Sequence, residues 1–489
     1  MTVHPALPGL ASNPAAPAGV LLRLLTLDDR EIRQRFTWRR SLPDEVAEAV
    51  LTHPDRRLRL SLAESWTVAP ELRARLLDDP EPRMALAVAM GPLPYRTEVP
   101  PLPDWAYDRL LNHEKDIVRY EAAGAPTTPP HVLVPLARHD DPYFRRTACR
   151  RAWHLLGDDE RAVLLDDPDA TVRESAALHV MHEDEERTAQ LLESLEPGWD
   201  RQLVLERGRL TRGVAERLLA EESHLPPLLR NPTFPADLAA SLAGHDDPAV
   251  RLAVSARPRL TEEERAAIDW QVRPEDRLDT LWWVWTARDD ADVLRRCAAS
   301  AHTWLRRSAA VCEELPDDCV ELLAADEDFA VRLLLAERHP KAPPELLLDL
   351  YVHGTHRAVG MLTTRPGFPA AGLAERFADA ADPRCRALAV RDPAATPALL
   401  DRLSRDPDPW VRDAAARDPR LPADRITELL DAPGTGPAAA ANPALPAAAM
   451  TALLDRAGVG RPPLDRTGVP RPAPLDRAAV ARPPQPTSD

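Results

Sequence analysis

One phrase recurs along this chain at a nearly constant spacing, and that spacing limits what the chain can fold into. The phrase is Asp-Pro, a short variable stretch, an apolar residue, Arg and then alanines; clear copies run over residues 406–415 and 167–176. The Arg of this phrase recurs in steps of about 26 residues or a multiple of that number. The positions are Arg119, Arg146, Arg173, Arg251, Arg306, Arg332, Arg357, Arg386 and Arg412. A fixed period of this length is typical of a repeat protein.

Each repeat carries the signals for two short helices. Asp is a good N-cap because its carboxylate accepts the free amides of the first turn, and Pro is favoured at the next position. A second phrase follows, as in Arg417-Asp418-Pro419, and its Pro ends the helix because the residue before Pro avoids the α region. A Leu-rich run then forms the second helix. Thr261 and Glu264 have the spacing of a capping box.

One such repeat cannot bury its own apolar face, but stacked repeats can. Hydrophobic residues make up 44% of the 489 residues and aromatic residues only 4%, so the core is aliphatic, which favours helices over sheets. We therefore predict an all-α fold, an α-solenoid of two-helix repeats of about 26 residues.

The two phrases resemble the leucine-rich repeat variant (LRV) family, which is akin to HEAT-like repeats. Residues 391–430 and 248–261 carry the resemblance most clearly. It implies a right-handed superhelix of α-helices alternating with 3₁₀ or short α-helices. One relative with similar repeats has a Cys-rich segment for an iron–sulfur cluster. Here the first cysteine is Cys149 and no cluster spacing exists, so we predict no cofactor.

The repeat pattern divides the chain into three parts. We expect a flexible N-terminal segment over residues 1–20 and a solenoid over 21–457, with degenerate repeats near 90–105, 185–230 and 265–300. Residues 458–489 continue a run of near-copies headed by Leu-Asp-Arg and rich in Pro and Arg. This composition predicts a disordered low-complexity tail.

Charge and cysteine content restrict the partners and the compartment. The net charge of −16 disfavours a nucleic-acid binder that uses its whole surface, although a local basic groove stays open. The five cysteines form no C-x-x-C pair, and no apolar run is long enough for a membrane span. The start of the chain lacks the pattern of a signal peptide. We expect a cytoplasmic protein that does not bind membranes, and the Arg/Ala/Pro/Asp bias indicates a GC-rich bacterial genome.

The repeated arginines have two interpretations. Each can pair with an Asp of its own or the adjacent repeat, as a structural ladder. Alternatively, they form a basic strip that holds an acidic or phosphate-bearing partner. The candidates for such a binding surface are Arg146, Arg173, Arg251, Arg306, Arg332 and Arg412.

Four tryptophans lie close together in the sequence, at Trp282, Trp283, Trp285 and Trp304, with Arg295 and Arg296 nearby. They can form an aromatic and cationic pocket that stacks a base or another planar ligand. They can equally fill a bend in a degenerate repeat.

The sequence carries no recognisable catalytic signature. It has no H-E-x-x-H, Walker loop, G-x-S-x-G or G-x-G-x-x-G. Cys297, Cys312 and Cys319 lack the close spacing of zinc ligands, so we predict buried structural cysteines and no metal. His179 and His182 share a helix face but belong to a charged, solvated run.

These observations favour a non-enzymatic intracellular scaffold that binds a protein or peptide along its curved surface. This inference rests on architecture, which does not fix function. The alternative is nucleic-acid binding, because some HEAT-like proteins act as DNA glycosylases on alkylated bases. The Arg strip and the four tryptophans would then carry the binding.

Overall fold

The computed structural model describes residues 4–39, 41–65, 68–92, 99–222 and 224–460. Within those ranges the chain contains helices and turns but no strands. It divides into two compact units: unit 1 combines the residues up to 136 with those from 371, and unit 2 contains residues 137–370. The predicted all-α repeat class is confirmed within each unit. The division into two units was not predicted.

The helices of unit 1 come from both ends of the chain. Its N-terminal part contains α1 (Leu7–Ser12), α2 (Ala18–Leu24), α3 (Arg30–Thr37), α4 (Asp44–Leu51), α5 (Arg56–Ala63), α6 (Pro70–Arg75), α7 (Met84–Met90), α8 (Asp104–Leu111), α9 (Asp116–Gly124) and α10 (Pro130–Leu133).

Unit 2 continues the series as a single stretch of chain. It contains α11 (Pro142–Ala152), α12 (Asp158–Leu165), α13 (Ala170–Val180), α14 (Glu185–Ser194), α15 (Trp199–Arg207), α16 (Arg212–Ala220), α17 (Leu225–Arg230), α18 (Ala236–Ala240), α19 (Pro248–Ser255), α20 (Glu262–Ala266), α21 (Trp282–Thr286), α22 (Ala291–Ala298), α23 (Thr303–Ala310), α24 (Asp317–Ala324), α25 (Phe329–Arg338) and α26 (Pro344–His353).

The C-terminal part of unit 1 completes the list with α27 (Leu373–Phe377), α28 (Pro383–Arg391), α29 (Pro397–Leu403), α30 (Pro409–Arg417), α31 (Ala423–Leu429), α32 (Gly436–Ala440) and α33 (Ala447–Arg456). Short 3₁₀ helices lie at Leu76–Asp78, Val134–Arg138, Trp153–Leu155 and Arg357–Thr364.

The local signals act as the sequence predicts at several helix ends. Asp247 and Asp382 cap their helices by accepting the amides of Ala249 and Arg384, each at 2.8 Å. Thr261 and Glu264 form the predicted capping box. Helices α25, α28 and α30 end at Arg338, Arg391 and Arg417, two residues before a Pro in each case.

Two copies of the Asp-Pro phrase begin their helix later than predicted. In residues 167–176 the N-cap is Asp169, which accepts the amide of Thr171 at 2.9 Å. In residues 406–415 the N-cap is Asp408. The first Asp of each phrase, Asp167 or Asp406, is buried and binds an arginine of the preceding repeat instead.

Residues 4–20, which belong to the segment predicted to be flexible, are part of the core of unit 1. Helix α1 packs on α32, and α2 packs on α33. Leu7 and Leu10 are fully buried, and Gly9 lies so close to the Pro437 carbonyl that a Cβ would clash with it. Eight helices of unit 1 stack in the order α28, α30, α32, α1, α3, α5, α7 and α9.

The predicted tail begins a few residues too early. Val459 is buried, and its carbonyl accepts a hydrogen bond from Arg23, whose Nη2 also lies 2.6 Å from Asp455. The rest of the predicted tail, residues 461–489, lies outside the described residues.

All five cysteines are buried. Burial raises the pKa of Cys149 and Cys297 to about 12, because an apolar environment disfavours the thiolate. Over the described residues, no helix is long and apolar enough to cross a membrane.

Candidate functional site

Two of the four predicted tryptophans, Trp282 and Trp285, line a cavity of about 330 Å³ in unit 2. Helices α15 and α21 form two of its walls. The lining residues are Trp199, Gln202, Leu203, Glu206, Arg207, Asp279, Thr280, Trp282 and Trp285. A volume of this size can hold one large side chain or a small planar ligand.

Helix α15 supplies five lining residues because they fall on one face of the helix. Positions 199, 202, 203, 206 and 207 follow the spacing of three and four residues that aligns side chains along a helix. Val204 and Leu205, on the opposite face, are buried in the core. The helix is thus anchored on one side and presents Trp199, which is 72% exposed, on the other.

Helix α21 divides its three tryptophans between two faces. Trp282 and Trp285, three residues apart, share the face that lines the cavity. Trp283 points elsewhere and its Nε1 donates to the Ala256 carbonyl at 3.1 Å. Leu281 and Val284 are buried beside it. Trp285 keeps 39% of its surface exposed.

Trp304 does not line the cavity but holds one of the segments that do. It is only 3% exposed, and its Nε1 donates to the Asp279 carbonyl at 2.8 Å. That bond fixes the segment carrying Asp279 and Thr280, which has no helical hydrogen bonds of its own. The predicted set of four is therefore divided into two lining rings and two structural rings.

Arg207 brings a half-buried positive charge to the cavity. Its guanidinium carbon lies 4.1 Å from the centre of the Trp282 ring, a cation–π contact. No described residue accepts a hydrogen bond from it, and its Nε is buried without a partner. Burial lowers the pKa of Arg207, and the nearby Asp279 carboxylate opposes that effect only in part.

The other charges around the cavity are compensated or solvated. Glu206 forms an ion pair with Arg230, whose guanidinium also lies 5.9 Å from the Trp304 ring. Asp279 is exposed to solvent. Arg288 lies 5.0 Å from the Trp285 ring and 3.6 Å from Glu314. Among the described residues around the cavity, the half-buried charge without a hydrogen-bond partner is therefore the positive charge of Arg207.

The repeated arginines bond within the repeat array. Nη1 of each donates to the carbonyl oxygens six and five residues earlier, at 2.6–3.1 Å, in Arg173, Arg251, Arg306 and Arg412. Arg306 also donates from Nε to Asp326 at 2.7 Å. Arg306 therefore makes the predicted contact with an Asp of the adjacent repeat, whereas the hydrogen bonds of Arg173 and Arg412 go to backbone carbonyls of their own repeat.

In the repeat where the spacing predicted Arg146, the corresponding contacts are made by Arg145. Arg145, not Arg146, donates to the His139 and Asp140 carbonyls and to Asp167, at 2.7–2.9 Å. The predicted spacing assigned the wrong member of an Arg-Arg pair because both residues fit the period within one position. Arg146 is half-buried and bonds to no described residue.

Arg332 departs from the ladder. Its nearest carboxylate is Asp349, at 3.6 Å from Nη1, and its Nε is buried without a partner among the described residues. It does not line the tryptophan cavity.

Sequence reasoning missed Trp199 and Arg207. Proximity in the sequence indicated Arg295 and Arg296 as the cations beside the tryptophans, but neither residue lines the cavity. A signal was present, because Trp199 and Arg207 lie on one helical face with polar residues between them, but nothing local indicates that this face meets α21.

Comparisons with known proteins give little further information. No family model matches the chain, and no curated protein matches it. Among solved structures, it is similar to a chain from a study of tubulin recruitment and assembly by microtubule polymerases with tumor overexpressed gene (TOG) domain arrays. The identity is 13%, the match covers 86% of this chain and 92% of that chain, and the TM-score is 0.18.

Proposed function

We propose that this protein is a non-enzymatic intracellular scaffold that binds a protein or peptide partner, with the cavity of unit 2 as a principal contact. The observation that supports this most directly is the grouping of exposed Trp199 and Trp285 around Arg207, from which no described residue accepts a hydrogen bond. Trp and Arg are the residues most enriched at the energetic centres of protein interfaces. Exposed aromatic surface beside a cavity is typical of such sites.

The Ser255–His302 contact does not support an enzymatic alternative. Ser255 Oγ lies 2.9 Å from His302 Nε2, but both residues are fully buried. Nδ1 of His302 accepts the amide of Trp304 at 3.3 Å, so the imidazole caps helix α23. A substrate would have no access to this pair.

Nucleic-acid binding is the second candidate, because tryptophan rings can stack on bases. The net charge of −16 opposes it, since binding a phosphate backbone requires several available cations. The ladder arginines already donate to carbonyls and carboxylates. A peptide, which needs one or two charged contacts, fits the cavity better.

We also infer that the repeats belong to the LRV group of HEAT-like repeats. Support comes from the Asp-Pro phrase, the apolar-Arg-x-x-Ala run and the Pro that lies two residues after the ends of α25, α28 and α30. The coarser description, a HEAT-like helical repeat, agrees with the described helices.

Quantitative affinity capture tests the proposed function. Tagged full-length protein and its Trp199→Ala/Trp285→Ala variant are used as bait in lysate from the native host, with nuclease present. The control is Trp410→Ala, which removes a ring that is 57% exposed in unit 1. We expect a discrete protein that the wild type and the control retain and the double variant loses.

Two results would refute this proposal. One is an identical set of captured proteins for all three baits. The other is material that depends on the two tryptophans but disappears with nuclease, which would place nucleic acid first.

A further inference from the structure

The chemistry of the cavity identifies what part of a partner it accepts, on the premise of the proposed function. We propose that it binds a peptide segment in which an aromatic side chain lies next to a carboxylate. The ring occupies the cavity beside Trp199 and Trp285, and the carboxylate binds the guanidinium of Arg207.

The lack of a hydrogen-bond acceptor for Arg207 among the described residues indicates that the ligand supplies a carboxylate. A guanidinium carries five N–H donors in a planar fork, and no described residue accepts a hydrogen bond from those of Arg207. A partly buried charge without a partner is costly. A carboxylate matches the fork with two parallel hydrogen bonds, so such a ligand supplies what the free protein lacks.

A cationic ligand is disfavoured by the same surroundings. Arg207 already covers one face of Trp282 at 4.1 Å, and Arg288 lies 5.0 Å from the Trp285 ring. A second cation would meet repulsion from both. Glu206 cannot compensate, because Arg230 is already paired with it.

The aromatic and apolar side chains that line the cavity indicate that the second ligand group is an aromatic ring. Trp199 is 72% exposed and Trp285 is 39% exposed, and Leu203 adds an apolar surface between the polar side chains. Aromatic rings pack edge-to-face or offset against such walls. The cavity of about 330 Å³ has room for one ring system.

A peptide fits better than a nucleotide because, among the described residues that line the cavity, Arg207 is the one cation without a hydrogen-bond acceptor. The exposed carboxylate of Asp279 lines the same cavity, so its repulsion limits the anionic groups there to the one that Arg207 binds. One carboxylate on Arg207 satisfies the site, whereas the several phosphates of a nucleic acid would also meet the acidic surface of the chain.

The test is a titration of the full-length protein with unlabelled peptides that are N-acetylated and C-amidated, followed by isothermal titration calorimetry. The probe is the peptide Gly-Ser-Phe-Glu-Ser-Gly, and its variants replace Glu by Gln, Glu by Lys, or Phe by Ser. Oligothymidine is the nucleic-acid probe. We expect the Glu peptide to bind about tenfold or more tightly than its Gln and Lys variants, as for a charge-assisted hydrogen bond.

Arg207→Gln provides the matched protein variant, with Arg209→Gln as its control. Arg209 lies two residues along, is exposed and pairs with Glu185 at 3.1 Å. We expect Arg207→Gln to abolish the preference for Glu over Gln while the melting temperature stays equal or rises, because a desolvated charge is removed. Arg209→Gln should keep the preference. A merely structural Arg207 would instead lower the melting temperature and leave the preference intact.

Several results would overturn the inference. They are equal binding of the Glu and Gln peptides, no binding of the Glu peptide, an unchanged preference in Arg207→Gln, or tighter binding of oligothymidine that depends on Trp199 and Trp285. The proposed function is tested separately. If capture of a protein partner depends on Trp199 and Trp285 but not on Arg207, the scaffold stands and the carboxylate chemistry is wrong.

Discussion

Units 1 and 2 each contain a buried asparagine that joins two repeats, and the two asparagines make the same bonds. In unit 2, Asn231 Nδ2 donates to the carbonyls of Leu205 and Gly208 at 2.9 and 2.7 Å. In unit 1, Asn13 Nδ2 donates to the carbonyls of Ala440 and Asn442, also at 2.9 and 2.7 Å. The partners of Asn231 precede it by 26 and 23 residues, whereas those of Asn13 lie 427 and 429 residues away.

The difference teaches that a repeat interface does not require a continuous chain. Helix α1 offers a small-residue face and an Asn, and α32 offers alanines and free carbonyls. Asn442 makes the same kind of bonds one repeat earlier, to the carbonyls of Ala416 and Asp418. The first repeat of the chain thus stacks on its last repeat in unit 1 as consecutive repeats stack elsewhere.

The strongest test of this comparison is a cavity substitution in α1. Leu10 is fully buried in unit 1 and Leu228 is fully buried in unit 2. We expect Leu10→Ala and Leu228→Ala each to lower the free energy of unfolding by about 2–5 kcal/mol, measured by urea denaturation. A flexible N-terminal segment, as the sequence suggested, would leave Leu10→Ala with almost no effect.

The asparagines test the junctions themselves. Asn13→Ala and Asn231→Ala each leave two buried carbonyls without their donor, so we expect each to lower the free energy of unfolding by about 2–4 kcal/mol. Asn112→Ala is the control, because Asn112 is exposed and bonds only within its own helix. A large effect at Asn231 with none at Asn13 would show that the junction between the chain ends does not form in solution.

The arginine ladder is common to both units and gives a smaller effect. Arg145 in unit 2 and Arg386 in unit 1 both donate two hydrogen bonds to a buried Asp of the next repeat, and Arg386 lowers the pKa of Asp406. We expect Arg145→Ala to lower the free energy of unfolding by about 1–3 kcal/mol in urea denaturation, and Arg386→Ala to lower it as well. Arg146→Ala should stay within about 0.5 kcal/mol; equal costs for Arg145 and Arg146 would contradict the assignment.

The last prediction concerns acid sensitivity in unit 2. Asn13 and Asn231 each accept the amide two residues ahead, and His302 does the same with Nδ1. Burial lowers the pKa of His302 from 6.5 to about 3. Between those values the unfolded state binds more protons, so stability falls as the pH decreases from 6.5 towards 3.

The expected slope from His302 is at most about 1.4 kcal/mol per pH unit. His302→Asn keeps an acceptor for the amide and removes the titration, so its unfolding free energy should depend less on pH over this range. The measurement is urea denaturation at a series of pH values. A parallel dependence in wild type and variant would exclude His302 as the acid-sensitive group.

The sequence by itself determined the local structure of the repeats. Asp247 and Asp382 as caps, the Thr261–Glu264 capping box and the helix ends before Pro all depend on contacts within a few residues of the chain. Their energetics follow from backbone geometry and the donors and acceptors close by, so the pattern alone predicted them. The regular period likewise predicted the all-α repeat class.

Only the tertiary structure decided which distant segments meet. The packing of α1 on α32, the choice of Arg145 over Arg146 and the cavity that joins Trp199 and Arg207 to Trp282 depend on contacts between residues far apart in sequence. Every repeat presents similar apolar faces and free carbonyls, so the local pattern does not distinguish one possible neighbour from another. Packing of the whole unit selects among them, because it must fill the core and satisfy the buried polar groups at once.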